Sequence, residues 1–165
     1  MAQEEEKRQA QERAQALFEQ GYKAQMAGDL EGAVRLYKAS LETSATAEAY
    51  TFLGWTYSMQ GHLDEAIGEC EKAIALDPEF GNAWNDIGAY YIQKNEFDKA
   101  VPYLERAKKA GRYECRAFPH CNLARVWIQK GMLRRAIEEL EEAVALDPSY
   151  EMAQKMLKKV RFDLN

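Results

Sequence analysis

The sequence of 165 residues has no long hydrophobic run, and it contains only 4 Pro, 3 Cys and 2 His. Because no apolar run is long enough to cross a bilayer, we expect no membrane insertion. The net charge of -5 and the isoelectric point near 5.2 provide no overall attraction for phosphate groups. Nucleic acid is therefore excluded as an expected partner, and the composition is typical of one folded domain.

The chain also lacks the features of a secreted, disulfide-linked protein. Residues 1–13 are polar and rich in Glu, without the apolar core of a secretory signal. Cys70, Cys115 and Cys121 are an odd number of thiols at irregular spacing. We expect a cytoplasmic protein with reduced cysteines.

Catalytic motifs are missing from the sequence as well. There is no Gly-rich phosphate loop, no Gly-x-Ser-x-Gly motif, and no set of Ser, His and acid at a recognisable spacing. We therefore predict that the protein is not an enzyme and needs no cofactor.

Internal repeats are what the sequence does contain. The segment at 61–67, Gly-His-Leu-Asp-Glu-Ala-Ile, is echoed at 28–34, and a third copy starts at Gly131. The alanines in register are Ala33, Ala66, Ala100 and Ala136, so the period is near 34 residues. Such a period indicates a stacked array of small units.

Each unit has the pattern of a helical hairpin. Apolar and small residues recur at i, i+3, i+4 and i+7, and about nine residues later a second helical face begins. The turns between the two helices need positive φ, and we place them at Gly28, Gly61, Asn95 and Gly131. Pro78 and Pro148 end second helices.

The repeat resembles the tetratricopeptide repeat. The second unit carries the characteristic residues of that family as Tyr50, Leu53, Gly54, Tyr57, Ala66, Cys70, Ala73 and Pro78. The resemblance implies an all-α, right-handed α-solenoid of four hairpins, at 14–46, 47–80, 81–116 and 117–150. Residues 1–13 would extend the first helix, and 151–165 would form a C-terminal capping helix. Residues 85–90 and 111–121 resemble those of small stand-alone bacterial members of the family.

The sequence departs from that repeat at two places. In the first unit Gln20 and Ala24 replace a packing Leu and Tyr, and Ala45 replaces the closing Pro. The third unit also lacks this Pro, and two extra residues lengthen its junction with the fourth, in 111–121. We expect the first unit to act as a cap and the stacking to be perturbed at the junction.

The resemblance implies that the first helix of each unit lines a concave groove that binds a peptide. The groove is aromatic in its N-terminal half and carries amides and then cations in its C-terminal half, which suits an extended peptide. In the alternative interpretation, Phe18 and Trp55 bury against neighbouring helices. The family's terminal-carboxylate clamp is not expected, because its Lys and Asn are replaced by Phe18 and Tyr22. The candidate residues are Phe18, Tyr22, Trp55, Asn82, Asn85, Phe118, Asn122, Arg125, Lys155 and Lys159.

Two further groups of residues have alternative interpretations. Cys115, His120 and Cys121 could ligate a metal, but a closed zinc site needs four ligands, so we favour simple packing and predict no metal. Residues 47–80 hold seven acids and one Lys, whereas 99–116 hold six bases and two acids. This asymmetry could steer a partner, dock two copies of the chain, or be ordinary surface variation.

The leading hypothesis is a non-catalytic adaptor that binds a peptide segment of a partner protein. The alternative is a scaffold protein that self-associates through its end repeats or through opposite charges, as a homo-oligomer.

Overall fold

The computed structural model describes residues 1–164, and it divides the chain into two compact units. The N-terminal unit is Met1–Pro78 and the C-terminal unit is Glu79–Asn165. Within the described residues there are nine α-helices and no strand, only one isolated bridge between Phe80 and Arg112. The prediction of an all-α fold is confirmed, whereas the division into two units was not expected from the sequence.

The N-terminal unit consists of two helical hairpins. Its helices are α1 (Ala2–Met26), α2 (Leu30–Thr43), α3 (Ala47–Met59) and α4 (Leu63–Leu76). α1 packs on α2, α3 on α4, and α2 on α3. Ala33, Tyr37 and Leu53 form the buried core between them, with Phe18 and Phe52 packed against its edge.

The C-terminal unit repeats this arrangement and adds a fifth helix. Its helices are α5 (Gly81–Gln93), α6 (Phe97–Lys109), α7 (Ala117–Gln129), α8 (Leu133–Leu146) and α9 (Glu151–Leu164). α5 packs on α6, α7 on α8, and α7 also contacts α5 and α6. Leu104, Leu123 and Leu140 are fully buried in its core.

The turns within the hairpins have the backbone conformation that the sequence predicts. Positive φ occurs at Gly28 (84°), Gly61 (84°), Asn95 (59°) and Gly131 (71°). In the described residues Asn95 is the only non-glycine with positive φ, and Asn tolerates this region better than most residues. The second helices α4 and α8 end at Leu76 and Leu146, one residue before the Asp-Pro pairs.

α9 covers the last hairpin with a narrow apolar stripe. Ala153, Leu157 and Val160 are buried, and Met156 packs against the same core. Met152 lies outside this contact, since its side chain is 55% exposed. The helix therefore covers α8, while its remaining face is exposed and carries charged residues together with the apolar Met152 and Phe162.

The lengthened junction 110–116 folds back on the start of α5. Gly81 N donates to Arg112 O at 3.0 Å, and Arg112 N donates to Glu79 O at 2.9 Å. Tyr113 is buried over Gly81, where a Cβ atom would collide with the Tyr113 side chain. The extra residues thus form a defined strap within the C-terminal unit.

Candidate binding surfaces

The first helices of the N-terminal unit carry a group of aromatic rings. Phe18 is half-buried, with its ring 5.5 Å from Tyr37 and 5.2 Å from Phe52. Phe52 also contacts Tyr22 at 5.8 Å and Trp55 at 5.6 Å in edge-on geometry. Such tilted and edge-on pairs are favourable contacts between aromatic rings.

This group continues to the surface of the unit. Tyr22 is 44% exposed and Trp55 is 38% exposed. Met26 and Met59 lie one helical turn further along α1 and α3, and both are about half exposed. We call Phe18, Tyr22, Met26, Phe52, Trp55 and Met59 the aromatic surface.

A buried glutamine ties the aromatic surface to the core. Gln25 is 1% exposed, and its Oε1 accepts a hydrogen bond from Tyr37 Oη at 2.8 Å. Its Nε2 donates to Met59 Sδ at 3.4 Å. Burial raises the pKa of the Tyr37 phenol above its ordinary value, so the phenol stays a hydrogen-bond donor. Gln25 was not among the predicted residues, although it lies one turn after Gly21 on the packed face of α1.

A groove of about 610 Å³ adjoins Phe18 along the middle of α1. Its opposite wall is the connection between α2 and α3, from Ser44 to Thr46. The residues that line it are small or polar apart from Phe18. They are Gln11, Glu12, Ala14, Gln15, Ala16, Glu19, Ser40, Ser44, Ala45 and Thr46.

The predicted residues of the C-terminal unit form a chain of hydrogen bonds. Arg125 Nη1 donates to Asn122 Oδ1 at 3.3 Å, and Asn122 Nδ2 donates to Asn85 Oδ1 at 3.0 Å. Asn85 Nδ2 in turn lies 3.4 Å from Asp86 Oδ1. We call these four residues the amide ladder. Its donors point one way, from the exposed guanidinium to the inner carboxyl.

The inner end of the amide ladder is buried. Asn85 is only 6% exposed, so it holds Asn122 in place rather than facing solvent. Burial raises the pKa of Asp86 to about 7, and the hydrogen bond from Asn85 opposes this shift only in part. Burial and the nearby Asp86 also raise the pKa of Tyr113. Asp86 was not among the predicted residues, because its environment depends on the strap.

The remaining candidates of the C-terminal unit lie around the amide ladder or away from it. Asn82 is half-buried on the first turn of α5. Phe118 is 39% exposed, and its ring lies 5.2 Å from that of Tyr150, which the sequence analysis missed. Lys155 and Lys159 are exposed on α9, where Lys155 Nζ pairs with Glu151 at 2.9 Å. Neither lysine is part of the amide ladder.

The Cys and His residues of the junction lie in different environments. Cys115 is exposed, whereas Cys121 is buried, and burial raises the pKa of its thiol to about 11. His120 Nδ1 lies 2.6 Å from Glu139 Oε2, which Lys108 Nζ also approaches at 3.4 Å. Within residues 1–164, no three His, Cys, Asp or Glu side chains are grouped as metal ligands would be.

None of the helices in the described part of the chain is long and apolar enough to cross a membrane.

Comparison with known families matches three segments of the chain. Models described as tetratricopeptide repeat match residues 47–80, 69–101 and 119–150. Tetratricopeptide repeat protein 21B of Mus musculus is 24% identical over 124 residues, which are 75% of this chain and 9% of that protein. The chain spans only 9% to 20% of the length of three curated relatives that it matches.

Solved structures resemble the chain over most of its length. Pseudomonas aeruginosa pilF superposes with a TM-score of 0.87 at 21% identity, covering 93% of this chain and 70% of that one. YrrB, described as a TPR protein with an unusual peptide-binding site, superposes with a TM-score of 0.65 at 23% identity. That alignment covers 87% of this chain and 74% of YrrB. At these identities the likeness shows the fold, an all-α solenoid of helical hairpins.

Proposed function

We propose that this chain, which belongs to the tetratricopeptide-repeat family, binds a peptide segment of a partner protein on the first helices of its hairpins. Tetratricopeptide repeats indicate a protein-protein interaction module, and proteins of this fold are generally not catalytic. The finer proposal concerns which surface of the module binds and what it recognises.

The aromatic surface is the observation that carries the proposal. Four side chains, Tyr22, Met26, Trp55 and Met59, remain between about 38% and 49% exposed although they adjoin a well-packed core. Contiguous exposed apolar groups of this kind mark interaction sites in soluble proteins. The adjoining groove gives an extended segment room to continue along α1.

Each side chain of the aromatic surface has a distinct part in the proposal. Phe18 and Phe52 are half-buried and hold the exposed rings in place. Trp55 is the anchor, because a large rigid ring desolvates much apolar surface at a small cost in conformational entropy. Met26 and Met59 are flexible, so they can adapt to the shape of the bound segment.

The C-terminal unit contributes polar recognition of its own. The amide ladder presents Arg125 and the second amide N–H of Asn122 as donors, while Asn85 acts from beneath as a positioning residue. Donors of this kind suit main-chain carbonyl groups and carboxylates. Lys155 and Lys159 would add favourable long-range charge for an acidic segment.

A peptide library displayed on phage and selected against the intact chain tests the proposal. For a selected peptide, Trp55→Ala should weaken binding by about 2 kcal/mol or more, as for a hot spot. Phe162→Ala is the matched control, because Phe162 is an exposed ring on α9 outside the aromatic surface. Arg125→Ala should weaken binding by an amount that shrinks as salt is raised.

An opposite pattern would contradict the proposal. If affinity is indifferent to Trp55→Ala and Arg125→Ala but is lost on reversing charges between Lys99 and Arg116, the second helices carry the binding surface. Circular dichroism of each variant must show unchanged helicity before the affinities are compared.

Self-association is the second candidate function, and the charge distribution favours it. The N-terminal unit holds 7 basic and 14 acidic residues, whereas the C-terminal unit holds 15 basic and 13 acidic residues. Opposite net charges can dock one copy on another. A light-scattering mass that rises with protein concentration, and falls with added salt, would support this candidate over the peptide-binding one.

A further inference from the structure

A cleft of about 370 Å³ lies within the C-terminal unit, near the C-terminal ends of α5 and α7. Its apolar lining comes from Ile92, Phe97 and Ile128. Amides of Gln93, Asn95 and Gln129 surround this lining, and Arg125 is the only charged residue among the lining residues. The cleft thus combines an apolar floor, neutral amides and a single cation.

The charge of Arg125 is not neutralised within the described part of the chain. Three lysines that are close in sequence to other residues of the cleft form ion pairs. Lys94 and Lys99 pair with Glu96, and Lys130 pairs with Asp98. Within residues 1–164 Arg125 forms no ion pair with a carboxylate, and its guanidinium donates to Asn122 Oδ1 at 3.3 Å. A guanidinium has five N–H donors, so most of them stay available to a ligand.

Asn122 of the amide ladder holds the Arg125 guanidinium from one side. Asn122 is itself fixed by the buried Asn85, so the acceptor that meets Arg125 has a defined position. A side chain held by one hydrogen bond loses less conformational entropy when it binds a second group. Arg125 is therefore prepared for a ligand at its free N–H groups.

A glutamate side chain fits this combination. Its methylene groups would lie on Ile92, Phe97 and Ile128, and its carboxylate would accept paired hydrogen bonds from the guanidinium. The amides of Gln93 and Gln129 can supply further donors. Because the cleft has one cation, a singly charged carboxylate matches it in charge.

We infer that this cleft is a subsite for a glutamate side chain of the bound segment, with Arg125 as the recognising group. This inference rests on the proposed function, because it names the chemistry of the partner that the C-terminal unit selects.

The test uses N-acetyl-glutamate N-methylamide as the probe, with N-acetyl-glutamine N-methylamide as its neutral isostere. Each is titrated into the full ¹⁵N-labelled chain and followed by NMR. The glutamate probe should shift the Arg125 Nε–Hε signal and the side-chain amides of Gln93 and Gln129, with millimolar affinity. The glutamine probe should bind at least about tenfold more weakly, because it lacks the charge.

Two variants sharpen the test. Arg125→Gln should reduce the affinity for the glutamate probe by about tenfold or more, while Arg134→Gln, an exposed arginine outside the cleft, should change it less than about twofold. Asn122→Ala should reduce the affinity for the glutamate probe by about threefold. It should also broaden the Arg125 Nε–Hε signal, because Arg125 loses its hydrogen-bond acceptor.

Equal binding of the two probes, shifts spread over all exposed cations, or no effect of Arg125→Gln would overturn the inference. The peptide-binding proposal would still hold after such a result if Trp55→Ala weakens the binding of a selected peptide. Conversely, a probe that binds as expected, on a chain that selects no peptide, would refute the proposed function and keep the subsite.

Discussion

In the N-terminal unit Gly21 lies under the ring of Tyr37, whereas in the C-terminal unit Gly88 lies under Leu104. A Cβ atom at Gly21 would stand 2.8 Å from Tyr37 Cε1, and one at Gly88 would collide with the buried Leu104 side chain. The first hairpin of each unit is therefore closed in the same way, with a different partner. In these two hairpins the close approach of the helices requires glycine.

The connections between hairpins differ more than the hairpins do. In the N-terminal unit α2 and α3 are joined by residues 44–46, where Thr46 Oγ1 caps α3 by accepting from Ala49 N at 3.1 Å. In the C-terminal unit α6 and α7 are joined by the longer strap 110–116. Tyr113 of the strap is buried, and the nearby Asp86 adds to the burial that raises its pKa.

The exposed chemistry of the two units also differs. The N-terminal unit presents rings and thioethers on α1 and α3, while the C-terminal unit presents an amide ladder that ends in a cation. One scaffold thus carries an apolar surface in one unit and a polar surface in the other. The comparison shows that the repeat determines the packing and leaves the surface free to vary.

The largest expected effect is on hairpin closure. Gly88→Leu should lower the free energy of unfolding by about 1 to 3 kcal/mol, because the added side chain forces α5 and α6 apart. Gly68→Leu is the control, since a Cβ at Gly68 meets nothing within 4 Å. Urea denaturation followed by circular dichroism measures both, and equal stabilities for the two variants would contradict the role of the close approach.

The next effect concerns the polar contact between hairpins of the C-terminal unit. Burial disfavours ionisation of Glu139, but the hydrogen bond from His120 and the Lys108 ammonium outweigh it and lower the carboxyl's pKa. Glu139→Gln should destabilise the chain by about 1 to 2 kcal/mol at neutral pH, because His120 and Lys108 lose the negative charge and one of the two acceptor oxygens that they share.

Glu138→Gln is the matched control for Glu139→Gln, because Glu138 is the exposed neighbour on α8. Since the pKa of Glu139 is lowered on folding, its contribution should be present at neutral pH and fade as the pH falls through the acidic range. A Glu139→Gln variant as stable as wild type at neutral pH would show that the contacts of Glu139 with His120 and Lys108 do not stabilise the fold.

An effect with the opposite dependence on pH is expected at Asp86. Its pKa is raised to about 7 by burial, so the folded state holds this proton more tightly than the unfolded state. The contribution of protonated Asp86 to the free energy of unfolding is therefore complete below about pH 4, and it is lost as the pH rises to about 7. Asp86→Asn cannot ionise, so its stability relative to wild type should rise by about 1.4 kcal/mol for each pH unit across that range.

Melting temperatures of wild type and Asp86→Asn from pH 4 to pH 8 (the approximate span of these pKa values) measure the difference. Asp163→Asn, at an exposed position on α9, is the control. A constant difference between wild type and Asp86→Asn at every pH would contradict the raised pKa.

The smallest effect leaves the fold unchanged. Cys115 is exposed, while Cys70 and Cys121 are buried. We predict that all three thiols are reduced in the proposed cytoplasmic location, and that a thiol reagent modifies only Cys115 in the native protein. Mass spectrometry should show one label before unfolding and three after it, and helicity should not change when a metal chelator is added.

Much of the fold could be predicted because its signals are local. The turn residues Gly28, Gly61, Asn95 and Gly131 were predicted to have positive φ, and all four do. The aspartate-proline pairs mark the ends of α4 and α8 because proline restricts the residue before it. Four copies of one pattern made each of these local signals visible several times.

The candidate surfaces could be predicted only in part. The helical register placed Tyr22 and Trp55 on the first helices, and the structure leaves both exposed. The same register offered Asn85 and Asn122 as equivalent amides, yet Asn85 is buried and its oxygen is taken by Asn122. Register gives the direction of a side chain from its own helix, but it contains no information about what packs above it.

The amino-acid sequence by itself determined the repeat, the hairpins and the turn conformations. These features depend on residues within about one repeat of each other, so periodicity is enough to find them. Only the tertiary structure decided the burial of Gln25 and Asn85, the pairing of His120 with Glu139, and the division of the chain into two units. Each of these depends on contacts between residues of different helices or segments, and no local pattern encodes them.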